Sequence, residues 1–360
     1  MASVEARIAA APGAAGEVAV AALEDVAVAS WDAYVDAHPG GTFYHLSGWR
    51  RVIGDTLGHR LHYLVARRDR DIVGVLPLAH VSSWLFGSKL VSLPFLVYGG
   101  PLASDVASEQ ALVDAAWELA NDLRVDALEL RGRDAPAVER EDWQTVTSHV
   151  TYRKPIEADT DANMKAVPRK QRAMIRKGIK AGLVAEIDDD VSRLYATLLE
   201  CKRNLGTPFF NARYLAAIKQ MFGDKAEVLT VVKDGQTVCS VMSFIYRDEI
   251  LPYYGGGGAL ARQYYGNDFM YWSVMERACQ NGIRVFDYGR SQRGSGPAKF
   301  KEHWGFEPSE LHYGIRALPG RSLPDHNPDS PKYRQFVKLW KRLPLPVAGV
   351  VGPYLARRLP

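Results

Sequence analysis

Between Leu61 and Val81 apolar residues form two runs around a charged break, "LHYLVARRDRDIVGVLPLAHV", and the second run is rich in β-branched side chains. That pattern predicts a β-hairpin. The design returns at 226–246, "AEVLTVVKDGQTVCSVMSFIY", with its turn at Lys233-Asp234-Gly235. Each hairpin leads to a further apolar run ending in Tyr-Gly-Gly, "LVSLPFLVYGGP" at 90–101 and "ILPYYGGGG" at 250–258. A helical pattern comes after each, "SEQALVDAAWELANDLRV" and "NDFMYWSVMERACQNGI", and then a short strand, "DALELRGR" and "RVFDYGRS". The order β-β-β-α-β therefore occurs twice, which predicts a tandem duplication. The expected fold class is α/β (α+β), each copy a mixed twisted sheet flanked by helices. The expected division is a flexible tail over 1–24, a first copy over 25–160, a second over 161–318, and a Pro-rich linker with a basic tail over 319–360.

A 47% hydrophobic and 24% charged chain of 360 residues has ample core for two domains. Its net charge of +4 does not suggest a dedicated nucleic-acid binder, so local basic patches carry more weight. Cys201, Cys239 and Cys279 form no C-x-x-C pair and no zinc-ligand spacing, so no metal is expected, and reduced structural thiols are. The first 25 residues are Ala-rich but broken by Glu5, Pro12 and Glu17, which does not make a signal peptide. No apolar run reaches the ~18–20 residues of a membrane span. A cytoplasmic location is the expectation.

The stretch "FDYGRSQRGSGPAKFKEHWGF" (286–306) has the look of a phosphate cradle, with Arg290, Arg293, Lys299 and Lys301 among glycines. It is not a P-loop: Gly289 and Gly294 have the Walker spacing, but Ser295 stands where the lysine must be. It is not a nucleophile elbow either, because Gly289-Arg290-Ser291-Gln292 is followed by Arg293. The pattern "QYYGND" (263–268) resembles Q-x-x-G-x-[GA], the loop in which GNAT-type acyltransferases seat the coenzyme A pyrophosphate on a helix N-terminus. Gln263, Gly266 and Asn267 are thus the candidate acyl-donor residues, whereas the Asp268 carboxylate would repel pyrophosphate.

Arg169, Arg172, Arg176 and Lys180 share one face of a predicted helix, and no acid interrupts 164–185. An anionic partner (an RNA backbone, a lipid pyrophosphate or a membrane surface) would relieve that crowding. The tail carries Lys332, Arg334, Lys338, Lys341, Arg342, Arg357 and Arg358 with no acid after Asp329. Its apolar part, Leu343 to Ala356, either packs on the protein body or rests on an anionic inner-membrane surface with Trp340 and Tyr354 near the headgroups. The run Gly255 to Gly258 predicts close approach of another chain or ligand, a flexible loop being the alternative.

Together the paired Tyr-Gly-Gly loops, "RKQRAMIRKGIKAG" and "FDYGRS…FKEHWGF" resemble the FemABX group of aminoacyl-tRNA-dependent transferases, and within it the FemAB-related proteins of exosortase/PEP-CTERM exopolysaccharide systems. The resemblance covers about 25–318 and implies two GNAT-like domains. It also implies transfer of an aminoacyl group from tRNA to an amine on an envelope or polysaccharide precursor. By position it implies that Lys301, in the Phe300-Lys301 pair, supports the developing oxyanion and that Arg172 and Arg176 contact acceptor phosphates. The resemblance also makes Arg51, within "FYHLSGWRRV", a candidate phosphate contact, and Tyr98, Tyr254 and Arg290 complete the candidate substrate-binding set. Such chemistry needs no covalent nucleophile and no bound cofactor. It needs an oxyanion stabiliser and a proton acceptor, and Asp287 at the end of "VFDY" is the candidate acceptor, a structural hydrogen bond to the next loop being the alternative. Two other functions stay open: acyl-CoA-dependent transfer through Gln263 and Gly266, and non-catalytic binding of anionic membrane or RNA. Neither the acyl group, the acceptor nor the oligomeric state is set by the sequence.

Overall fold

The computed structural model describes residues 16–23, 28–83, 87–137, 142–323 and 331–358. The chain forms two compact units, one of residues 1–147, 311–325 and 358–360, the other of residues 148–310 and 326–357. The sequence reading instead cuts once, between 160 and 161.

In the first unit the elements are β1 (Val18–Ala22), α1 (Val28–Ala37), α2 (Gly48–Leu57), β2 (Arg60–Arg68), β3 (Asp71–Ser83), β4 (Gly87–Val91), β5 (Leu102–Ala103), α3 (Val106–Asp122), β6 (Ala127–Gly132) and β7 (Gln144–Thr145). The sheet runs β1-β2-β3-β4-β6, continues through a strand from late in the chain, His312–Ala317, and ends at β7, with β5 on β3. β1 lies in the stretch expected to be tail, where it pairs antiparallel with β2. The apolar stripe of α3 (Leu112, Val113, Ala116, Leu119, Ala120) closes over Leu64, Leu76, Leu78, Leu90 and Leu128. Each such fully buried Leu contributes about 1.5–3 kcal/mol relative to exposure. The remainder of the expected tail, residues 1–15, and much of the Pro-rich linker, residues 324–330, lie outside the described residues.

The second unit contains β8 (His149–Pro155), α4 (Thr160–Ala166), α5 (Arg169–Lys180), β9 (Val184–Asp188), α6 (Ser192–Leu205), α7 (Ala212–Phe222), β10 (Ala226–Lys233), β11 (Gln236–Tyr246), β12 (Glu249–Gly257), α8 (Ala259–Gln263), α9 (Gly266–Gln280), β13 (Val285–Asp287), β14 (Ser291–Gln292), α10 (Gly296–His303), β15 (Pro308–Glu310), α11 (Pro331–Trp340) and α12 (Leu345–Ala356). Its sheet runs β14-β8-β13-β12-β11-β10-β9, with β15 on β8. The β10–β11 hairpin turns at Asp234-Gly235, both at positive φ, as a two-residue turn matching strand twist requires.

The duplication expected from the sequence is present in the pairing. In both units two antiparallel steps are followed by one parallel pair, β4 with β6 and β12 with β13. The next neighbour in each sheet is not legible in the sequence. β6 pairs with His312–Ala317, a strand from beyond the second copy, and β13 pairs with β8, the strand that opens its own unit.

The glycine run expected to admit a ligand or another chain admits the unit's own helices. A Cβ on Gly255 or Gly257 would meet Tyr271 of α9, or Ala261 and Asn267, whereas one on Gly256 or Gly258 would meet Cys201 or Glu200 of α6. The alternation shows α9 and α6 covering opposite faces of the sheet. Both approach β12 too closely for side chains.

Candidate active site

Where β13 ends, the chain turns back on itself. Asp287 is fully buried, and its Oδ1 accepts from Gly289 N at 2.5 Å. Gly289 sits at φ +65, a conformation glycine adopts without strain. α10 then starts at a clear signal: Ser295 Oγ accepts from Ala298 N at 3.3 Å, with proline in the first turn. Its inner face buries Ala298 and Lys301. Lys301 Nζ donates to Gly289 O at 2.8 Å and Arg290 O at 3.2 Å, and lies 5.3 Å from the Tyr152 ring centroid. Burial pulls the Lys301 pKa down to about 7, the attraction of Asp287 opposing this and the Arg290 charge adding to it. The two carbonyls use two of the three ammonium donors. Asp287, Arg290 and Lys301, each a candidate on separate grounds, thus meet at one turn.

That turn stands beside an opening between strands. β12 and β13 pair only at Glu249↔Val285 and Ile250↔Phe286, and among the described residues no strand pairs with this edge of β12 beyond Ile250. On its other edge a bulge between Met242 and Ser243 leaves Tyr253 as the extra residue. Parted parallel strands present backbone N–H and C=O groups that an extended acyl donor can pair with. The equivalent opening in the first unit is stitched shut by its own chain. Ser92 N donates to Glu129 O, Gly99 N and Gly100 N donate to Arg131 O, and the buried Arg131 guanidinium donates to Leu96 O at 3.2 Å. Leu93 and Phe95 take positive φ to achieve this.

The donor-loop residues gather at the start of α9. Gly266 is buried against Val238 and Ala261, Asn267 is half-buried, and Gln263 is exposed at the end of α8. Tyr265 holds φ +60 immediately before the helix, a strained position for a tyrosine. The sequence marks Asp268 as a group that repels pyrophosphate or as an ordinary helix-start residue. In the fold its Oδ1 accepts from Trp304 Nε1 at 3.1 Å, which joins α9 to the Lys301 helix, and burial raises its pKa. Between them lies an aromatic cluster absent from the sequence candidates apart from Phe300: Tyr271 is 5.0 Å from Tyr288 and 5.6 Å from Phe300 by ring centroids. The Tyr288 hydroxyl is buried there without a hydrogen-bond partner. Aromatic spacing on α9 and α10 is visible in the sequence, but only the tertiary fold brings these rings together.

α5 adjoins the same region. Lys177 Nζ lies 4.7 Å over the Tyr265 ring. Arg172 is half-buried and Arg176 exposed, and neither guanidinium forms an ion pair or hydrogen bond among the described residues. Three candidate residues lie elsewhere. Tyr254 faces α7, its hydroxyl 2.9 Å from that of Tyr214 inside a cluster with Phe209 and Phe244. Tyr98 is buried in the first unit edge-on to Tyr44, and Arg51 is exposed on α2 of that unit.

Residues 165–302 match the family model of the acetyltransferase (GNAT) domain. The chain carries a GNAT-type acyltransferase domain over these residues. The GNAT domain's β12, α9, β13 and Lys301 all fall inside the match. Among solved structures, FemX aligns with a TM-score of 0.62 at 16% identity, over 81% of this chain and 96% of that one. A tandem GNAT protein from the clavulanic acid biosynthesis pathway aligns at 0.55 and 15% identity, over 84% and 98%. L-PGS from Bacillus licheniformis aligns at 0.50 and 14% identity, over 82% and 96%. At these identities the likeness is one of fold, a FemX-like tandem of GNAT domains. No curated protein matches the sequence.

Proposed function

We propose that the protein transfers an aminoacyl group from aminoacyl-tRNA to an amine of a phosphate-bearing cell-envelope or exopolysaccharide precursor. The observation that carries this reading is the pairing, in one unit, of a buried Lys301 ammonium beside parted strands with the unneutralised Arg172/Arg176 face of α5. The acyl carbonyl lies in the opening between β12 and β13. The acceptor amine attacks it, and the third Lys301 N–H stabilises the oxyanion. Collapse of the tetrahedral intermediate breaks the ester C–O bond, the tRNA ribose oxygen leaving as a hydroxyl with the proton the amine gives up. Asp287 accepts the proton or, bound as it is to Gly289 N, orients the Lys301 turn. The FemX-like fold supports this reading.

A second reading, acyl-CoA as donor, is favoured by Gln263 and Gly266 and by the likeness to the tandem GNAT protein of the clavulanic acid pathway, a structure solved without AcCoA. Against it stands Asp268, a carboxylate in the first turn of α9 where pyrophosphate would seat. Filter binding with charged tRNA beside calorimetry with acetyl-CoA separates the two. Retention of tRNA with no heat from acetyl-CoA is the expected result, and the reverse overturns the first reading. Arg172→Ala and Arg176→Ala should each raise the KM for a phosphorylated acceptor roughly 10–100-fold, the size of a lost charge-assisted hydrogen bond, with kcat little changed. An unchanged KM removes α5 from the acceptor site.

A further inference from the structure

α12, "LPVAGVVGPYLA", has no charged side chain, yet it is a surface helix. Its inner stripe is small: Ala348, Gly352 and Ala356 are buried, and the stripe lies close to α6 and the loop after it. A Cβ on Gly349 would meet Leu199 at 3.3 Å, and one on Gly352 would meet the Phe209 carbonyl at 3.1 Å. Packing on the body, one of the two expectations for the tail, accounts for this face. Trp340, expected near headgroups, belongs to it as well, for it is buried, stacked on Phe336 and beside Gly352.

The outer stripe has no such cover. Val347 is 42% exposed, Val350 67%, Val351 40% and Tyr354 61%, succeeding one another at helical spacing, and Leu339 of α11 is 67% exposed. A helix apolar all round is normally enclosed, and a contiguous exposed apolar face marks an interaction surface. The charges beside it say which kind. Arg334, Lys338, Lys341 and Arg342 are exposed on and after α11, and no carboxylate occurs in the sequence from residue 330 onward. No helix among the described residues is long and apolar enough to cross a membrane, and the 12 residues of α12 span only about 18 Å. An apolar face with a one-sided basic margin fits a surface of hydrocarbon beneath anionic headgroups.

We infer that the outer face of α12, with the basic side chains of α11 beside it, is a peripheral anchor for an anionic lipid bilayer. Val347, Val350, Val351 and Tyr354 enter the headgroup boundary, and Lys338, Lys341 and Arg342 pair with lipid phosphates. The inference holds whichever acyl donor the enzyme uses. The site chemistry gathers around α9 and α10, whereas α12 rides on α6, which covers the opposite sheet face from α9.

Co-sedimentation of the full chain with vesicles tests it, using equal phosphatidylglycerol and phosphatidylcholine against phosphatidylcholine alone. Binding to the anionic vesicles should exceed binding to the neutral ones at least tenfold and fall steeply with added salt. The exposed double variant Lys338→Glu/Arg342→Glu should lose roughly 10–30-fold, and Val350→Asp should lose binding at any salt concentration, both with unchanged circular dichroism. Equal binding to both vesicles, or undiminished binding by the Lys338→Glu/Arg342→Glu chain, overturns the inference. So does a lipid-free dimer in sedimentation velocity that Val350→Asp dissociates, since a second copy would then be the cover.

Discussion

Lys301→Met folds and loses about 10²–10³-fold in transfer rate, the size of effect expected when one oxyanion donor is removed. Methionine matches the length of the buried stem but donates nothing to the Gly289 and Arg290 carbonyls or to the reacting oxygen. Arginine should not rescue it, because a guanidinium cannot fit a site built around a point charge. The pH profile carries the sharper information. With the Lys301 pKa pulled down to about 7, the ammonium is present below that pH and lost above it. A donor role therefore predicts activity falling as pH rises through about 7, whereas an amine acting as base predicts the opposite slope. Asp287→Asn removes the charge that favours the ammonium, so it should move that limb to lower pH. Stability runs the other way. The unfolded lysine keeps its proton to about pH 10.4, so between about 7 and 10 the unfolded chain binds more protons and Lys301 contributes rising stability with pH. Chemical denaturation of parent and Lys301→Met across that range checks the sign. An identical pH dependence in the two would remove the buried-ammonium account.

The second large effect is on the fold. Gly257→Ala should destabilise the protein by about 1–3 kcal/mol, because the added methyl would stand 2.4 Å from the Ala261 Cβ and 2.9 Å from the Cys239 Cβ. Neither neighbour is a flexible side-chain tip that can swing away. At this size each kcal/mol lowers the melting temperature by roughly 2–4 °C. Gly54→Ala is the control: it lies inside α2, and its Cβ position meets nothing nearer than the Leu61 side chain at 3.7 Å, an ordinary contact. That substitution should be neutral or stabilising by up to ~1 kcal/mol. If both variants melt alike, helix approach is not what the glycine run serves.

The repeat can be read from the chain because its signals are local: Lys233-Asp234-Gly235 turns the hairpin, alternation marks β10 and β11, and Tyr-Gly-Gly closes each copy. Distant strand pairing cannot. β8 and His312–Ala317 have ordinary strand composition, and nothing in it names so distant a partner. Lys301, Asp287 and Arg290 are legible as candidates and do meet, since a tight turn holds near neighbours together. Tyr254 and Tyr98 show the limit. A tyrosine before glycines reads the same whether its ring faces a cleft or a core, and these two face cores. The Asp268–Trp304 bond is beyond reach for a similar reason: it joins two helices whose approach depends on the parted strands.

The late strand His312–Ala317 also bears on how the chain is made. When β6 leaves the ribosome its partner strand does not yet exist, and the wait is on the order of 10–40 s at ordinary elongation rates. Until His312–Ala317 arrives, the edge of "ALELRG" is bare backbone, the kind of edge that recruits other chains. A nascent chain halted before Leu311 would keep that edge indefinitely. The first unit is not a finished product of translation until most of the second has been written.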